Sequence, residues 1–269
     1  MVVLSSQYTY GYSFSPQFYA AHGYVVVLPN PRGSTGRGEK FRNAIYQGWG
    51  IKDYEDVIAA VDHVIELGYA DPDRLGVMGY SYGGFMTNVV ITRTDRFKAA
   101  VSGAGHSLFI ANFGHDIYQK WYVWELDLPW ENRQLWEKLS PLNQVHEVTT
   151  PTVFICGQKD WNVPVLNSEM MYQSLKRLGI ETQLVVYPDS HHGGVNMIAL
   201  QHMLMQTEPW SDTIHLCPAW PKEWDCSFKL HAPGKTIIQG KVKNGKVVDL
   251  IVIPETRRKD IVNYLNPEK

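Results

Sequence analysis

The residues best suited to chemistry are Gly79-Tyr80-Ser81-Tyr82-Gly83-Gly84. They follow a short apolar run, Arg74-Leu75-Gly76-Val77-Met78, and precede Phe85 to Ile91, which can begin a helix. A serine in Gly-x-Ser-x-Gly between a strand and a helix has the pattern of a nucleophile elbow. The glycines are expected because the serine sits on a sharp, strained turn, where side chains at 79 and 83 would collide with strand and helix. The helix behind the turn would aim its free N–H groups and its dipole at the serine oxygen. Such a serine needs a base, and the base needs an orienting carboxylate. Asp160 lies shortly past an apolar run ending at Cys156, in Gly157-Gln158-Lys159-Asp160-Trp161-Asn162-Val163-Pro164. His191 and His192 follow a second such run ending at Tyr187. The order Ser, Asp, His, each beyond the end of a strand, is that of an acyl-transfer site. Taken alone, Asp160 also reads as a helix N-cap, and the histidine pair as a polar surface loop or half of a metal site. His106 and His115 stand in no recognisable metal-ligand motif with that pair.

The elements that must position these groups alternate between two periods. Gly23 to Pro29 reads as a buried strand stopped by Pro29 and Pro31. Asn30 to Phe41 is a loop whose Gly33, Gly36 and Gly38 lack the dinucleotide-site spacing. Apolar residues at 54, 57, 58, 61, 64 and 65 predict a helix over 53–67 with Gly68 at its C-terminus. Strands are expected at 97–102, 151–156 and 182–187, with a helix over 163–178 ended by Gly179. Aromatic residues crowd 106–136. This alternation predicts an α/β architecture with a doubly wound, mainly parallel sheet. Such sheets place their sites at the C-terminal edge of the strands, where Ser81, Asp160 and the histidines would emerge. After Gly194 the character changes: Val195 to Met205 suits one helix, and two β-like runs, 235–242 and 246–253, flank the hairpin signal Asn244-Gly245.

The 269 residues suit one large domain, or one of about 200 residues with a small appendage. The expected boundary gives a catalytic domain over 1–193 and a helix plus β-rich module over 194–269. A hydrophobic content of 44% with 19% charged residues is ordinary for a globular chain. A net charge of −2 and no long basic run give no electrostatic case for nucleic acid. Cys156, Cys217 and Cys226 form neither a metal-ligand spacing nor a full disulfide framework. Met1 to Leu4 is too short for a signal peptide, and no stretch is long enough to span a membrane. The expectation is a cytoplasmic protein, or one whose targeting segment has been removed.

Residues 7 to 193 resemble the catalytic domain of the prolyl oligopeptidase family of serine peptidases, in its acylaminoacyl-peptidase-like branch. The matching stretches are Asn30 to Gly38, Ala70 to Arg74, Ser81 to Met86, Thr94 to Ala100, Asp160 to Pro164, and Tyr187-Pro188 through His192-Gly193. The resemblance implies an α/β-hydrolase fold, no cofactor, and hydrolysis of ester, peptide or amide bonds through an acyl-enzyme. In that family the histidine directly before glycine is catalytic, which selects His192. It also implies Ser81 as nucleophile, Asp160 as the orienting carboxylate and the Tyr82 N–H as an oxyanion donor.

Two departures follow. Family members carry a β-propeller and a strand ending in a His-Gly-Gly-Pro-like oxyanion loop; here Met1-Val2-Val3-Leu4 stands in that place. A second donor is then expected near Ser5 or from Tyr8, and an inner strand is missing or replaced by the first residues. The tail, especially Pro218 to Trp224, resembles the C-terminal β-rich region of α-L-fucosidase-type glycoside hydrolases, as if joined just after Gly193. The expected partners are a small ester or short peptide substrate and further copies of the chain, with neither nucleic acid nor membrane. The rival reading is a weak or inactive remnant that binds carbohydrate or a partner through the tail. A glycosidase would need paired carboxylates, and nothing singles out a pair among Glu125, Asp127 and Glu131.

Overall fold

The computed structural model describes residues 7–9, 14–193, 203–207 and 211–266. The chain divides into two compact units, Met1–His192 and Gly193–Lys269.

The first unit is built on a parallel sheet of β1 (Leu75–Tyr80), β2 (Phe97–Gly103), β3 (Thr152–Gly157) and β4 (Thr182–Tyr187), in that spatial order. Parallel neighbours need crossovers. Helices α1 (Phe14–Ala21), α2 (Glu39–Arg42) and α3 (Lys52–Glu66) precede β1, and α4 (Tyr82–Ile91) joins β1 to β2. Three short helices, α5 (Phe109–Asn112), α6 (Gln119–Leu126) and α7 (Arg133–Leu139), lie between β2 and β3, and α8 (Leu166–Leu178) between β3 and β4.

Local chemistry sets these limits. Asp53 and Glu55 in the first turn of α3 complement its dipole. At its end Gly68 takes φ 74°, and Tyr69 N–H reaches back to the Val64 carbonyl at 3.0 Å. α8 stops the same way at Gly179, φ 75°. α4 is buried from Gly83 to Ile91, and its two polar residues donate inward, Thr87 Oγ1 to the Gly83 carbonyl at 2.9 Å and Asn88 Nδ2 to the His106 carbonyl at 3.0 Å. Phe85 and Val90 of α4 and Phe154 of β3 are fully buried, each stabilising the fold by roughly 1.5–3 kcal/mol. The aromatic stretch is mostly core: Phe109, Tyr122 and Trp136 are buried, and Trp49 stacks on Trp121 at 4.5 Å. Trp124 and Trp130 are instead 72% and 71% exposed.

One expected strand is absent. Residues 24–31 form no ladder, and Tyr24, Val25 and Val26 are exposed rather than buried. A β-like run becomes a strand only where a neighbouring backbone completes its hydrogen bonds. Among the described residues none pairs with 24–29 or with the outer edge of β1. Pro29 and Pro31 also lack the N–H that pairing needs.

The second unit is β-rich. β5 (Met205–Thr207), β6 (Ile214–Leu216) and β10 (Ile261–Asn263) form one sheet. β7 (Cys226–Ala232), β8 (Thr236–Lys243) and β9 (Lys246–Ile253) form an antiparallel meander. Asn244 (φ 50°) and Gly245 (φ 71°) turn β8 into β9, the positive φ pair that a two-residue hairpin demands. Ile214, Leu216, Ile238 and Val242 fill the core. The helix expected over 195–205 lies largely outside the described residues; of its described part, Met203 and Leu204 are helical and Met205 opens β5.

Candidate active site

β1 ends at Tyr80 and α4 begins at Tyr82, which leaves Ser81 alone on the corner at φ 60°, ψ −120°. A non-glycine residue in that region is strained, and the surroundings hold it there. Ser81 N–H donates to the Gly103 carbonyl at 2.8 Å, and its own carbonyl accepts from Phe85 N–H at 2.9 Å. The glycines are steric necessities. A Cβ on Gly79 would stand 2.2 Å from the Gly83 carbonyl oxygen, and one on Gly84 2.3 Å from that of Gly103. As the first residue of α4, Tyr82 has no carbonyl of its own helix to receive its N–H.

The loops after β3 and β4 bring in the partners. His192 Nε2 lies 2.8 Å from Ser81 Oγ, and His192 Nδ1 lies 2.7 Å from Asp160 Oδ2. The Asp160 side chain is fully buried, and that of His192 is 19% exposed. Asp160 Oδ1 accepts the backbone N–H groups of Asn162 and Val163, each at 2.9 Å. Its other oxygen is thereby left for the imidazole. Asp160 is not the cap of α8, whose N-cap is Val165. The crossing of the two loops depends on Gly157, where a Cβ would meet the Ser190 carbonyl oxygen at 2.4 Å. His191, adjacent in sequence, is exposed. Of the four residues singled out in the sequence, Ser81, His192 and Asp160 form one hydrogen-bonded chain, and Tyr82 follows the serine.

Sequence reasoning missed several neighbours. Tyr80 donates its hydroxyl to the His192 carbonyl, and its ring lies 5.3 Å from the imidazole. Burial, then the Asp160 charge, raise the Tyr80 phenol, so it stays protonated as a donor. His106, just past β2, sits in a buried chain with Tyr122 and Asp116. Tyr122 O–H donates to Asp116 Oδ2 at 2.6 Å, and its oxygen stands 3.0 Å from His106 Nε2. The one hydroxyl proton goes to the carboxylate, so His106 Nε2–H is the donor to Tyr122. Burial, then the neighbouring His192, lower His106 to about 3, and it is neutral. Its 4.0 Å approach to Asp116 is therefore no ion pair. His115 packs against the Trp161 ring at 5.3 Å.

Of the two expected sources of a second oxyanion donor, Ser5 lies outside the described residues. The Tyr8 hydroxyl is buried with no hydrogen-bond partner among the described residues, and burial pushes it up to about 12. Asp127 accepts from Gln47 and Asn132, each at 3.2 Å, which occupies it structurally.

The prolyl oligopeptidase family profile (Peptidase_S9) matches residues 10–212. The chain belongs to the prolyl oligopeptidase family. It is 42% identical over 68% of its length to the uncharacterized peptidase YuxL of Bacillus subtilis (strain 168), of which it covers 29%. It is 32% identical over 67% of its length to the acylamino-acid-releasing enzyme of Arabidopsis thaliana, of which it covers 25%. Among solved structures, Pyrococcus horikoshii acylaminoacyl peptidase superposes with a TM-score of 0.59 at 34% identity, over 61% of this chain and 28% of that one. A puromycin-hydrolyzing peptidase of Mycobacterium tuberculosis does so with a TM-score of 0.59 at 31% identity, over 64% and 27%. The chain thus spans between a quarter and a third of the length of these relatives. Its first unit has the α/β-hydrolase fold. The family match runs beyond Gly193, the expected join, to residue 212. Among the described residues no helix is long and apolar enough to cross a membrane.

Proposed function

We propose that the chain cleaves ester and peptide or amide bonds through an acyl-enzyme on Ser81. One observation carries this reading: His192 bridges Ser81 Oγ and Asp160 with both ring nitrogens at hydrogen-bond distance. In the proposed cycle His192 takes the Ser81 proton as Oγ attacks the carbonyl carbon. Asp160 holds the Nδ1–H tautomer and stabilises the imidazolium that results. The Tyr82 N–H, at the positive end of α4, binds the oxyanion, and the buried Tyr8 hydroxyl is our candidate for a second donor. His192 then returns the proton to the leaving group, and a water repeats the sequence on the acyl-enzyme.

Small activated esters are the easiest substrates on this reading, since an ester expels its leaving group with less help than an amide. Short peptides are the proposed biological class, in line with the peptidase relatives. A cytoplasmic setting suits three cysteines that remain free thiols. The domain limits 1–193 and 194–269, and the fucosidase-type origin of the tail, stay within this proposal. So does self-association of the chain. A fluorophosphonate probe tests the central claim: mass spectrometry should find the adduct on Ser81, and Ser81→Ala should abolish both labelling and hydrolysis of p-nitrophenyl acetate with an unchanged circular-dichroism spectrum. Retained turnover in that variant would sink the assignment of Ser81, and a wild-type chain that neither labels nor turns over would favour the remnant reading.

A further inference from the structure

Resting on the reading of Ser81 and the Tyr82 N–H given above, we infer that the Tyr82 side chain and Asp53 form a clamp that fixes the oxyanion donor. Asp53 is fully buried in the first turn of α3, away from the Ser81–His192–Asp160 chain. Its Oδ2 accepts two hydrogen bonds, from Tyr82 O–H at 2.6 Å and from Gly50 N–H at 3.2 Å. Oδ1 is buried with no hydrogen bond of ordinary geometry. A buried carboxylate with one oxygen unsatisfied is costly, and such groups persist where the fold gains something by them. Burial raises the Asp53 carboxyl, and the hydrogen bonds from Tyr82, from Gly50 and from the first amides of α3 offset part of that cost.

What the carboxylate secures is the first residue of α4. A hydroxyl bonded to a carboxylate at 2.6 Å belongs to the short, charge-assisted class. The Tyr82 ring is held at its far end by Asp53 and along its side by Phe85, at 5.2 Å between ring centres. The loop supplying Gly50 is itself fixed, since Arg93 donates to the Gly50 carbonyl, and a Cβ on Gly50 would stand 2.9 Å from Val89 of α4. With the ring anchored at its far end and along its side, Tyr82 cannot swing about its Cα. Its N–H then keeps the direction set by the strained Ser81 before it. A donor aimed in advance costs no reorganisation when charge develops, which is where such groups act on rate. Tyr82 through its side chain, and Asp53 through Tyr82, are positioning residues.

The test removes the hydroxyl alone. Tyr82→Phe should lower kcat about tenfold while leaving KM for p-nitrophenyl acetate within about twofold. The Ki of a peptidyl trifluoromethyl ketone, whose adduct carries the oxyanion, should rise by the same factor as kcat/KM falls. Asp53→Asn, which retains an acceptor for both donors, should lose less than Tyr82→Phe, and the double variant should fall short of the product of the two losses. Unchanged kcat in Tyr82→Phe, a loss confined to KM, or a ketone Ki that does not move would overturn the clamp alone, provided the fluorophosphonate still labels Ser81. Turnover surviving Ser81→Ala would overturn the site reading and the clamp together.

Discussion

Two histidines stand side by side, and only His192 reaches Ser81. The difference arises in the backbone: Asp189 takes φ 57°, Ser190 is tied back to Lys159 N–H, and the loop turns His192 inward while His191 faces solvent. An imidazole in solvent can neither accept the serine proton nor be oriented by a buried carboxylate. His192→Ala should therefore lower kcat by about 10³-fold or more, and His191→Ala by less than about threefold. Steady-state hydrolysis of a short-chain p-nitrophenyl ester measures both, and the reverse ranking would displace the base by one residue. At this scale Ser81, Asp160 and His192 were legible because each lies just beyond an apolar run, and the glycines around Ser81 advertise a corner. The clamp was not. Asp53 and Tyr82 are joined only by the packing of α3 on α4, and no local spacing encodes that.

At the scale of elements, the buried chain from His106 through Tyr122 to Asp116 ties the end of β2 to α6. It also makes folding depend on pH. His106 has a folded value lowered from 6.5 to about 3, so between these limits the unfolded chain binds a proton that the folded one refuses. Stability from this group is thus full above pH 6.5 and is lost as pH falls towards 3. The slope is at most about 1.4 kcal/mol per pH unit. Asp116, raised by burial, contributes with the opposite sign: its share is full below the unfolded value of 3.8 and fades as pH rises through its folded one. The two separate by mutation. His106→Gln keeps a donor for the Tyr122 oxygen and removes the titration, so urea unfolding at pH 7 and pH 5 should show a smaller acid loss than the wild type. Equal losses in both proteins would mean that His106 titrates in the folded state as it does in the unfolded one. Elements themselves were readable where periodicity, glycine stops and dipole charges agreed, as in α3 and α8. Residues 23–29 misled because a continuous apolar, β-branched run says that it fits a sheet, not that a partner backbone is present.

At the scale of the whole molecule, the sheet has unequal edges. β4 is the last strand on one side, and β1, which carries Ser81 at its end, is the last described strand on the other. On β1, Met78 is 44% exposed, and elsewhere in the first unit Tyr24, Val25 and Val26 are 65%, 52% and 36% exposed. In parallel α/β sheets the strand bearing the nucleophile is ordinarily interior and covered, because unpaired backbone groups are costly once water is excluded. An open, apolar edge is also a template for pairing with another chain. We therefore expect the chain to associate into a dimer or larger assembly through this edge. Multi-angle light scattering behind a sizing column measures the mass directly. A charged substitution on β1, Met78→Lys, should shift the population towards monomer without changing the fluorophosphonate labelling of Ser81. A monodisperse wild-type peak near 30.7 kDa would instead mean that the β1 edge is closed within a single chain.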